Sequence, residues 1–307
     1  MILVDCNNLG FASTATAAKK GKPHGAVLDM LGRMRNLVRE NPDRKVVALW
    51  DGRSWRHDAY PPYKAGRAKD PKMVKLKELW VEDRPALQRG LALLGVQQIS
   101  AKNMEADDLA ARLSAAKVKK GGRVKLISSD RDWLQLVNEQ ITWIDPIRER
   151  TVTHLNFAEH AKIGDLYFNT PWQFIQAKAL AGDVGDSIEG VGGLGPAAAQ
   201  WIFTEYGSVQ GLFNEGYLDG KAYVLFPKKF RDFLDSAEKL EAYERNLALV
   251  WLHSPHAPPI QGLTSIAQPF NRDAFMDFCE KRNFTTILLR EAIWLAPFEQ
   301  ATKEQAA

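Results

Sequence analysis

Nine carboxylates stand out in this chain because of where they fall. Asp5 closes the apolar run 1–4, Asp51 closes Lys45–Trp50, and Asp130 closes Arg123–Ser129. Glu105-Ala-Asp107-Asp108 opens a helical pattern, Asp132 follows Asp130 by two residues, and Asp183-Val-Gly-Asp186 lies in a glycine-rich stretch. A strand-end aspartate can be a turn former or a helix cap, and acids at a helix start favour its dipole. Each cluster alone has such a local reading; all five together do not. Nine carboxylates in one crevice would repel one another, so they must hold either protons or cations at neutral pH. Hard divalent ions, Mg²⁺ or Mn²⁺, suit oxygen ligands. No His or Cys accompanies the acids, which argues against zinc. Two such ions can activate water, grip a scissile phosphate and stabilise the leaving oxygen.

The bases lie close by in sequence. Tyr63–Lys77 (YKAGRAKDPKMVKLK) is crowded with Lys and Arg. By itself such a run reads as a solvated helix face. Beside a carboxylate-rich crevice it points to phosphodiester hydrolysis, with acids for metal and bases for phosphate. The net charge of +4 adds little until the acids are located. Because many of the 37 acids fall in tight motifs, the remaining surface is more basic than the total suggests.

The elements that must position these residues alternate. Apolar runs at 1–4, Lys45–Trp50, Arg123–Ser129 and Ile141–Ile144 read as strands. Helical patterns fall between them. His24–Glu40 carries Val27, Leu28, Leu31, Met34, Leu37 and Val38 at helix spacing, and Met73–Leu94, Asp107–Val118 and Arg131–Val137 are helical too. The expected fold is α/β: a doubly wound, mainly parallel central sheet with helices on both faces. In such sheets ligands bind beyond the carboxyl ends of the strands, where Asp5, Asp51 and Asp130 would converge. From Thr170 the pattern becomes helix and loop: Pro171–Ala181, Pro196–Tyr206, one or two helices in Lys228–Leu252, and a final helix or pair in Asn271–Ile293. The polar tail from Gln300 is expected to fray. This divides the 307 residues into 1–169, 170–255 and 256–307. Asp5 interrupts the first apolar run, so a signal peptide is not expected. No charge-free stretch approaches a membrane span, and the only cysteines are Cys6 and Cys279. A reducing, cytoplasmic setting fits.

Gly190-Val191-Gly192-Gly193-Leu194-Gly195 formally matches a dinucleotide-binding pattern. That motif needs a preceding strand, and Gly182–Glu189 is polar and acidic. The context is helix–loop–helix. Glycines there allow close backbone approach, and the amides of the following helix start can bind phosphate; a tight interhelical turn without a ligand is the plainer alternative.

In order and spacing these motifs resemble the 5′-nuclease family, which includes bacteriophage 5′-exonucleases, the 5′-nuclease domains of bacterial DNA polymerases and eukaryotic flap endonucleases. The resemblance runs through Asp5, Asp51-Gly52, Tyr63-Lys64-x-x-Arg67, Glu105-Ala-Asp107-Asp108, Ser129-Asp130-Arg-Asp132, Gly182-Asp183-x-x-Asp186, Gly190–Pro196 and Arg245-Asn246-Leu247. Trp55-Arg56-x-Asp58 looks most like the phage branch, which would place the protein in a host cytoplasm. The resemblance implies that Asp5, Asp51, Glu105, Asp107 and Asp130 hold a first metal ion. It implies that Asp132, Asp183 and Asp186 hold or position a second, with Asp108 in support. Lys64 and Arg67 would contact the scissile phosphate, and Tyr63 would stack on a base or pack. Residues of about 60–95 would form an arch over the site. Gly190, Val191, Gly193 and Gly195 would belong to a helix-hairpin-helix module that grips duplex DNA, often through a monovalent cation, K⁺. The implied activity is 5′-3′ exonuclease or flap endonuclease action on 5′ flaps, duplex ends and RNA–DNA hybrids, by a monomer working with replication proteins. The chain would be free-standing, without a polymerase domain. Two positions depart from the pattern: Ser187 stands where Asn is usual, and Ala197 where Lys is common. The missing lysine leaves duplex contact to Lys178, Lys228 or Lys229. A non-catalytic DNA-binding accessory protein on the same fold would have lost metal ligands, yet every acidic position is filled.

Overall fold

The apolar runs that end in acids become the central strands. The structure, a computed structural model, describes residues 1–22, 24–218 and 225–306; residues 219–224, inside the segment 170–255, lie outside the described residues. β1 (Ile2–Asp5) and β2 (Val46–Trp50) are buried along their whole length. With β3 (Gln97–Ser100), β4 (Val124–Ile127) and β5 (Ile141–Asp145) they form a parallel core, flanked by the antiparallel edges β6 (Arg150–Val152) and β9 (Thr264–Ile266). The order is β6-β5-β4-β1-β2-β3-β9, so chain direction through the sheet reverses between β1 and β4. That reversal opens a crevice at the carboxyl ends of the two strands that carry Asp5 and precede Asp130. A two-stranded hairpin, β7 (Lys162–Ile163) with β8 (Leu166–Tyr167), stands apart.

Strand periodicity sorts the core into two layers. Ile2, Val4, Ala48 and Trp50 face one way, packing on α1 (Cys6–Lys19), α2 (Ala26–Glu40) and α4 (Pro71–Leu93). Leu3, Val47, Leu49 and Leu126 face the other, packing on α5 (Ala106–Lys119) and the later helices. Burial of these side chains contributes roughly 1.5–3 kcal/mol each before entropy is counted. Both faces are therefore covered, as a parallel sheet requires.

α1 is a helix that the residue pattern does not announce. Its Asn7, Asn8, Gly10, Ser13 and Thr14 are weak helix formers. Asp5 caps it by accepting the Asn8 N–H (2.9 Å). Gly10 admits the Trp80 indole of α4, which a Cβ would meet at 2.1 Å. α4 follows the short α3 (Arg56–Ala59) and a 3-10 turn at Ala65–Lys69. From its third turn onward it buries Trp80, Leu87 and Leu91, whereas its first two turns, with Lys72, Lys75 and Lys77, stay exposed.

α6 (Phe157–His160) leads through the small hairpin to α7 (Pro171–Ala181), α8 (Pro196–Tyr206), α9 (Val209–Leu218), α10 (Lys228–Leu234) and α11 (Ala237–Val250). The stretch Arg131–Leu136, expected to be helical, is a 3-10 helix, and Asp130 caps it by accepting from the Asp132 N–H at 2.9 Å. The end of the chain folds back as α12 (Arg272–Lys281), α13 (Thr285–Leu288) and α14 (Glu291–Ala306). The frayed tail expected from Gln300 is instead helical, because α14 seats Leu295 and Phe298 in the core. Among the described residues no helix is long and apolar enough to cross a membrane.

Candidate metal centre and phosphate-binding site

Carboxylates of the crevice are held in place largely by donors from neighbouring elements. Asp5, at the end of β1, accepts from Ser128 Oγ (2.9 Å) as well as from the α1 backbone. Asp51, just past β2, accepts from the Ala106 N–H at the start of α5 (2.8 Å). Asp107 accepts from the Trp133 indole. Asp183 accepts from the Asp186 N–H (3.2 Å), which folds the ligand loop into a single 3-10 turn. Charged acceptors with backbone donors are among the stronger hydrogen bonds, so these side chains have fixed positions before any ligand arrives.

The crowding is visible in the proton affinities. Burial and the neighbouring Asp51 push Asp5 up to about 8. Burial and Asp132 push Asp130 up to about 6. Burial, then Asp130 and Asp5, raise Asp107 well above the usual carboxylate range, and burial with Glu105 raises Asp51. Glu105 goes the other way. Burial opposes its ionisation, but Lys64 and Arg56 bring it down to about 2. It accepts from Tyr63 Oη (2.9 Å) and from Lys64 Nζ, and Arg56 Nη1 reaches it at 3.5 Å.

Oxygens of Asp132, Asp183 and Asp186 all lie within 4.8 Å of one another. The Lys178 ammonium sits between two of them, bonded to Asp132 and at 2.7 Å from Asp183. Burial raises the Asp183 pKa, and Lys178 more than reverses that. Lys178 is itself buried, so it is not available to a duplex; α7 turns it inward.

Five cationic side chains reach this ensemble: Arg56, Lys64, Arg67, Lys178 and Arg84, the last donating to the Asp51 carbonyl at 3.0 Å. With all nine carboxylates ionised they would leave four negative charges, the charge of two divalent ions; without metal, protons on the raised carboxylates take part of that role. The donor set is hard oxygen throughout, and none of these carboxylates bonds to a histidine among the described residues. The residues fit two divalent cations.

The phosphate-binding candidates are fastened onto the ligand loop. The Lys64 N–H donates to the Asp186 carbonyl (2.8 Å), the Gly66 N–H to Ser187 Oγ (2.9 Å), and Arg67 to the Gly185 carbonyl and the Asp186 carboxylate (3.2 and 2.6 Å). Lys64 and Ser187 both adopt left-handed backbone, at φ 58° and 57°. Such positions favour Gly or Asn, and the strain indicates a clasp enforced by its surroundings.

Three of the expected site residues take up particular surroundings. Tyr63, expected to stack on a base or to pack, is only 3% exposed, with its ring edge-on to His57 and its hydroxyl on Glu105, the packed alternative of the two. Asp108 forms a two-bonded pair with Arg56 (3.0 Å each) and accepts the Glu105 N–H (3.1 Å), so it supports the site by holding Arg56 and Glu105 in place. Val191 is buried and gives its N–H to the Leu180 carbonyl (2.8 Å). Beside it, Gly192, Gly193 and Gly195 have open space where a Cβ would stand, so a phosphate backbone can approach them closely. Gly190 has a different reason to be glycine: a Cβ would meet the Ala181 carbonyl at 2.4 Å.

Reading by residue type missed several supports. Asn246 Nδ2 ties α11 to the carbonyls of Ala179 and Glu189 (2.9 and 2.7 Å), fastening the helix–loop–helix. Arg56 joins Asp108 and Glu105 to the Leu249 carbonyl (2.7 Å). The signal in the residues was the two motifs Trp55-Arg56-x-Asp58 and Arg245-Asn246-Leu247, which carried the resemblance without a role for Arg56 or Asn246.

Residues 1–163 match the family model of the 5′-3′ exonuclease N-terminal resolvase-like domain. DNA polymerase I of Bacillus subtilis is 28% identical over 296 residues, which cover 94% of this chain and 32% of that protein. The thermostable DNA polymerase I of Thermus thermophilus is 33% identical over 225 residues, 70% of this chain and 25% of that protein. The chain thus spans about a quarter to a third of the length of these curated relatives. Among solved structures, the bacteriophage T5 flap endonuclease in a pseudo-enzyme-product complex with DNA and metal ions is 28% identical. That similarity covers 82% of this chain and 88% of that one, with a TM-score of 0.66.

Proposed function

The chain belongs to the 5′-3′ exonuclease family, and we propose that it is a structure-selective 5′-nuclease that hydrolyses DNA phosphodiester bonds at or near 5′ ends. The observation that carries this reading is the clasp: the Lys64 backbone and the Arg67 guanidinium are bonded onto the acidic loop Asp183–Asp186, while the Lys64 ammonium is bonded to Glu105. Asp5, Asp51, Glu105, Asp107 and Asp130 would hold one divalent ion, Mg²⁺ for preference, and Asp132, Asp183 and Asp186 the other. Bound ions of this kind lower the pKa of water and neutralise charge on the phosphate under attack. The chain's own residues do the rest. Lys64 and Arg67 hold the scissile phosphate against the carboxylates and offset charge in the transition state. On this reading the exposed first two turns of α4 belong to the arch and offer Lys72, Lys75 and Lys77 to the 5′ strand. The open glycines at 192, 193 and 195 take a duplex phosphate, with K⁺ as the bridging cation, and Lys228 and Lys229 extend that grip. Selectivity then comes from backbone geometry, not base reading.

On this reading 1–169 is the nuclease unit, 170–255 the duplex grip, and 256–307 the segment that packs back. The protein acts as a monomer in the cytoplasm, removes RNA primers as well as DNA flaps, and works beside replication proteins. The test is cleavage of a labelled 5′-flap duplex with Mg²⁺ or EDTA, by wild type and Asp130→Ala. Mg²⁺-dependent cutting near the junction, lost in the variant, is the expected result. A wild type that binds the flap but never cuts it with Mg²⁺ or Mn²⁺ would make the chain an accessory protein on a nuclease fold.

A further inference from the structure

The end of the sheet opposite the carboxylates carries a second concentration of charge. β1, β2 and β4 begin there, with Ile2 level with Val46 and Lys125. The Ile2 N–H donates to the Lys45 carbonyl (2.8 Å), and the Lys125 N–H to the Met1 carbonyl (3.0 Å). α5 runs from its acidic start to this same end, about 21 Å for its 14 residues. It finishes in Lys117, Lys119 and Lys120. Bonds from Lys120 and Gly122 to the Lys117 carbonyl (3.1 and 3.0 Å) then turn the chain into Arg123. Lys125 donates to Asn41 Oδ1 (2.7 Å), which brings the turn bearing Arg44 and Lys45 alongside. Behind burial, Arg44 and Lys117 are the charges that most depress the amino group of Met1, a mark of how closely they converge.

Seven cationic side chains therefore meet here; of the nearby carboxylates, Glu40 is paired with Arg39 (3.1 Å). Arg44 has Asp43 at 3.8 Å. Among the described residues Lys45, Lys117, Lys119, Lys120 and Arg123 form no ion pair with any carboxylate. All five are exposed. Like charges gathered on a strand start and a helix end repel one another, and the repulsion is relieved by a polyvalent anion spanning several of them. A duplex presents one phosphate charge per 1.7 Å of axis, a density that a patch of separate cations can follow without reading sequence.

We propose that this end of the sheet is a second nucleic-acid site, which grips the phosphate backbone of duplex lying away from the cleaved 5′ end. A branched substrate would then be held at two places, by the clasped site at one end of the sheet and by this patch at the other. The inference stands on the charge distribution and does not depend on the nuclease reading.

The experiment measures binding of the full chain to a fluorescein-labelled unbranched duplex in EDTA across a salt series, by anisotropy. Wild type is compared with the triple variant Lys117→Glu, Lys119→Glu, Lys120→Glu. Each lost phosphate contact removes about 0.9 from the slope of log affinity against log salt, so the slope should fall by roughly 3 and the affinity by tenfold or more. The rate of Mg²⁺-dependent flap cleavage at saturating substrate should be unchanged. Equal slopes and affinities for the two proteins would overturn the proposal and leave the patch a solvated surface. If the Glu variant fails to fold by circular dichroism, the Gln triple variant carries the same expected loss of slope. If wild type cleaves nothing, the nuclease reading fails while the binding comparison still decides this one.

Discussion

Replacing Lys178 with Met should destabilise the metal-free protein and enlarge the stabilisation that Mg²⁺ provides. The ammonium is buried and lies 2.7 Å from Asp183 with Asp132 on its other side. At an effective dielectric of about 20, a pair at that distance attracts by roughly 6 kcal/mol, much of it offset by desolvation. Removing one partner of a buried pair costs about 3–5 kcal/mol, because the remaining charge has no compensation. Here three carboxylates whose oxygens lie within 4.8 Å would remain, so the upper part of that range applies. For a chain of this size about 2 °C accompanies each kcal/mol, so the melting temperature in EDTA should fall by roughly 8–10 °C. In Mg²⁺ the deficit should shrink. The ammonium competes with a cation for the same oxygens, so the variant should bind the ion more tightly and gain more from it. The assay is thermal melting of both proteins in EDTA and in saturating Mg²⁺. A variant that melts with wild type in EDTA, or gains no more than wild type from Mg²⁺, would refute the counter-charge role of Lys178.

Arg56→Ala should cost roughly 3–5 kcal/mol, because it leaves Asp108 buried and unpaired; urea denaturation would read this. Ser187→Ala removes the acceptor for the Gly66 N–H and should slow single-turnover cleavage about fivefold to tenfold with flap affinity unchanged. Ser187→Asn keeps an acceptor and suits the left-handed backbone, so it should restore the rate, whereas Ser187→Gly should relieve strain without restoring it. Asp5 and Asp130, raised by burial and by their acidic neighbours to about 8 and about 6, hold protons in the folded chain that the unfolded chain has already released. Their contribution to metal-free stability is present below about pH 4 and is lost as pH rises through 6 and 8. Bound Mg²⁺ replaces those protons, so its affinity should climb over the same window and binding should release protons; calorimetry in two buffers of different ionisation heat would detect the release.

The alternation of apolar runs and helical patterns was enough to place Asp5, Asp51 and Asp130 at strand ends, because a buried parallel strand must be apolar and its exit must turn. β3 (QQIS) and β9 (TSI) escaped that reading, since their polar side chains become strand only by pairing with neighbours already in place. α1 escaped it too, because its existence depends on a cap from Asp5 and on the Trp80 ring against Gly10, both set by distant chain. Composition and spacing determined which acids would gather and that cations must accompany them, a consequence of Coulomb repulsion that holds in any arrangement. Which cation stands against which carboxylate was decided only by tertiary structure. Lys178 reads as a surface lysine until α7 turns it into the crevice, and Tyr63 as a stacking or a packing ring until burial puts its hydroxyl on Glu105. A residue's type sets the interactions it can make, but its orientation and burial, which select among them, come from packing between elements far apart in the chain.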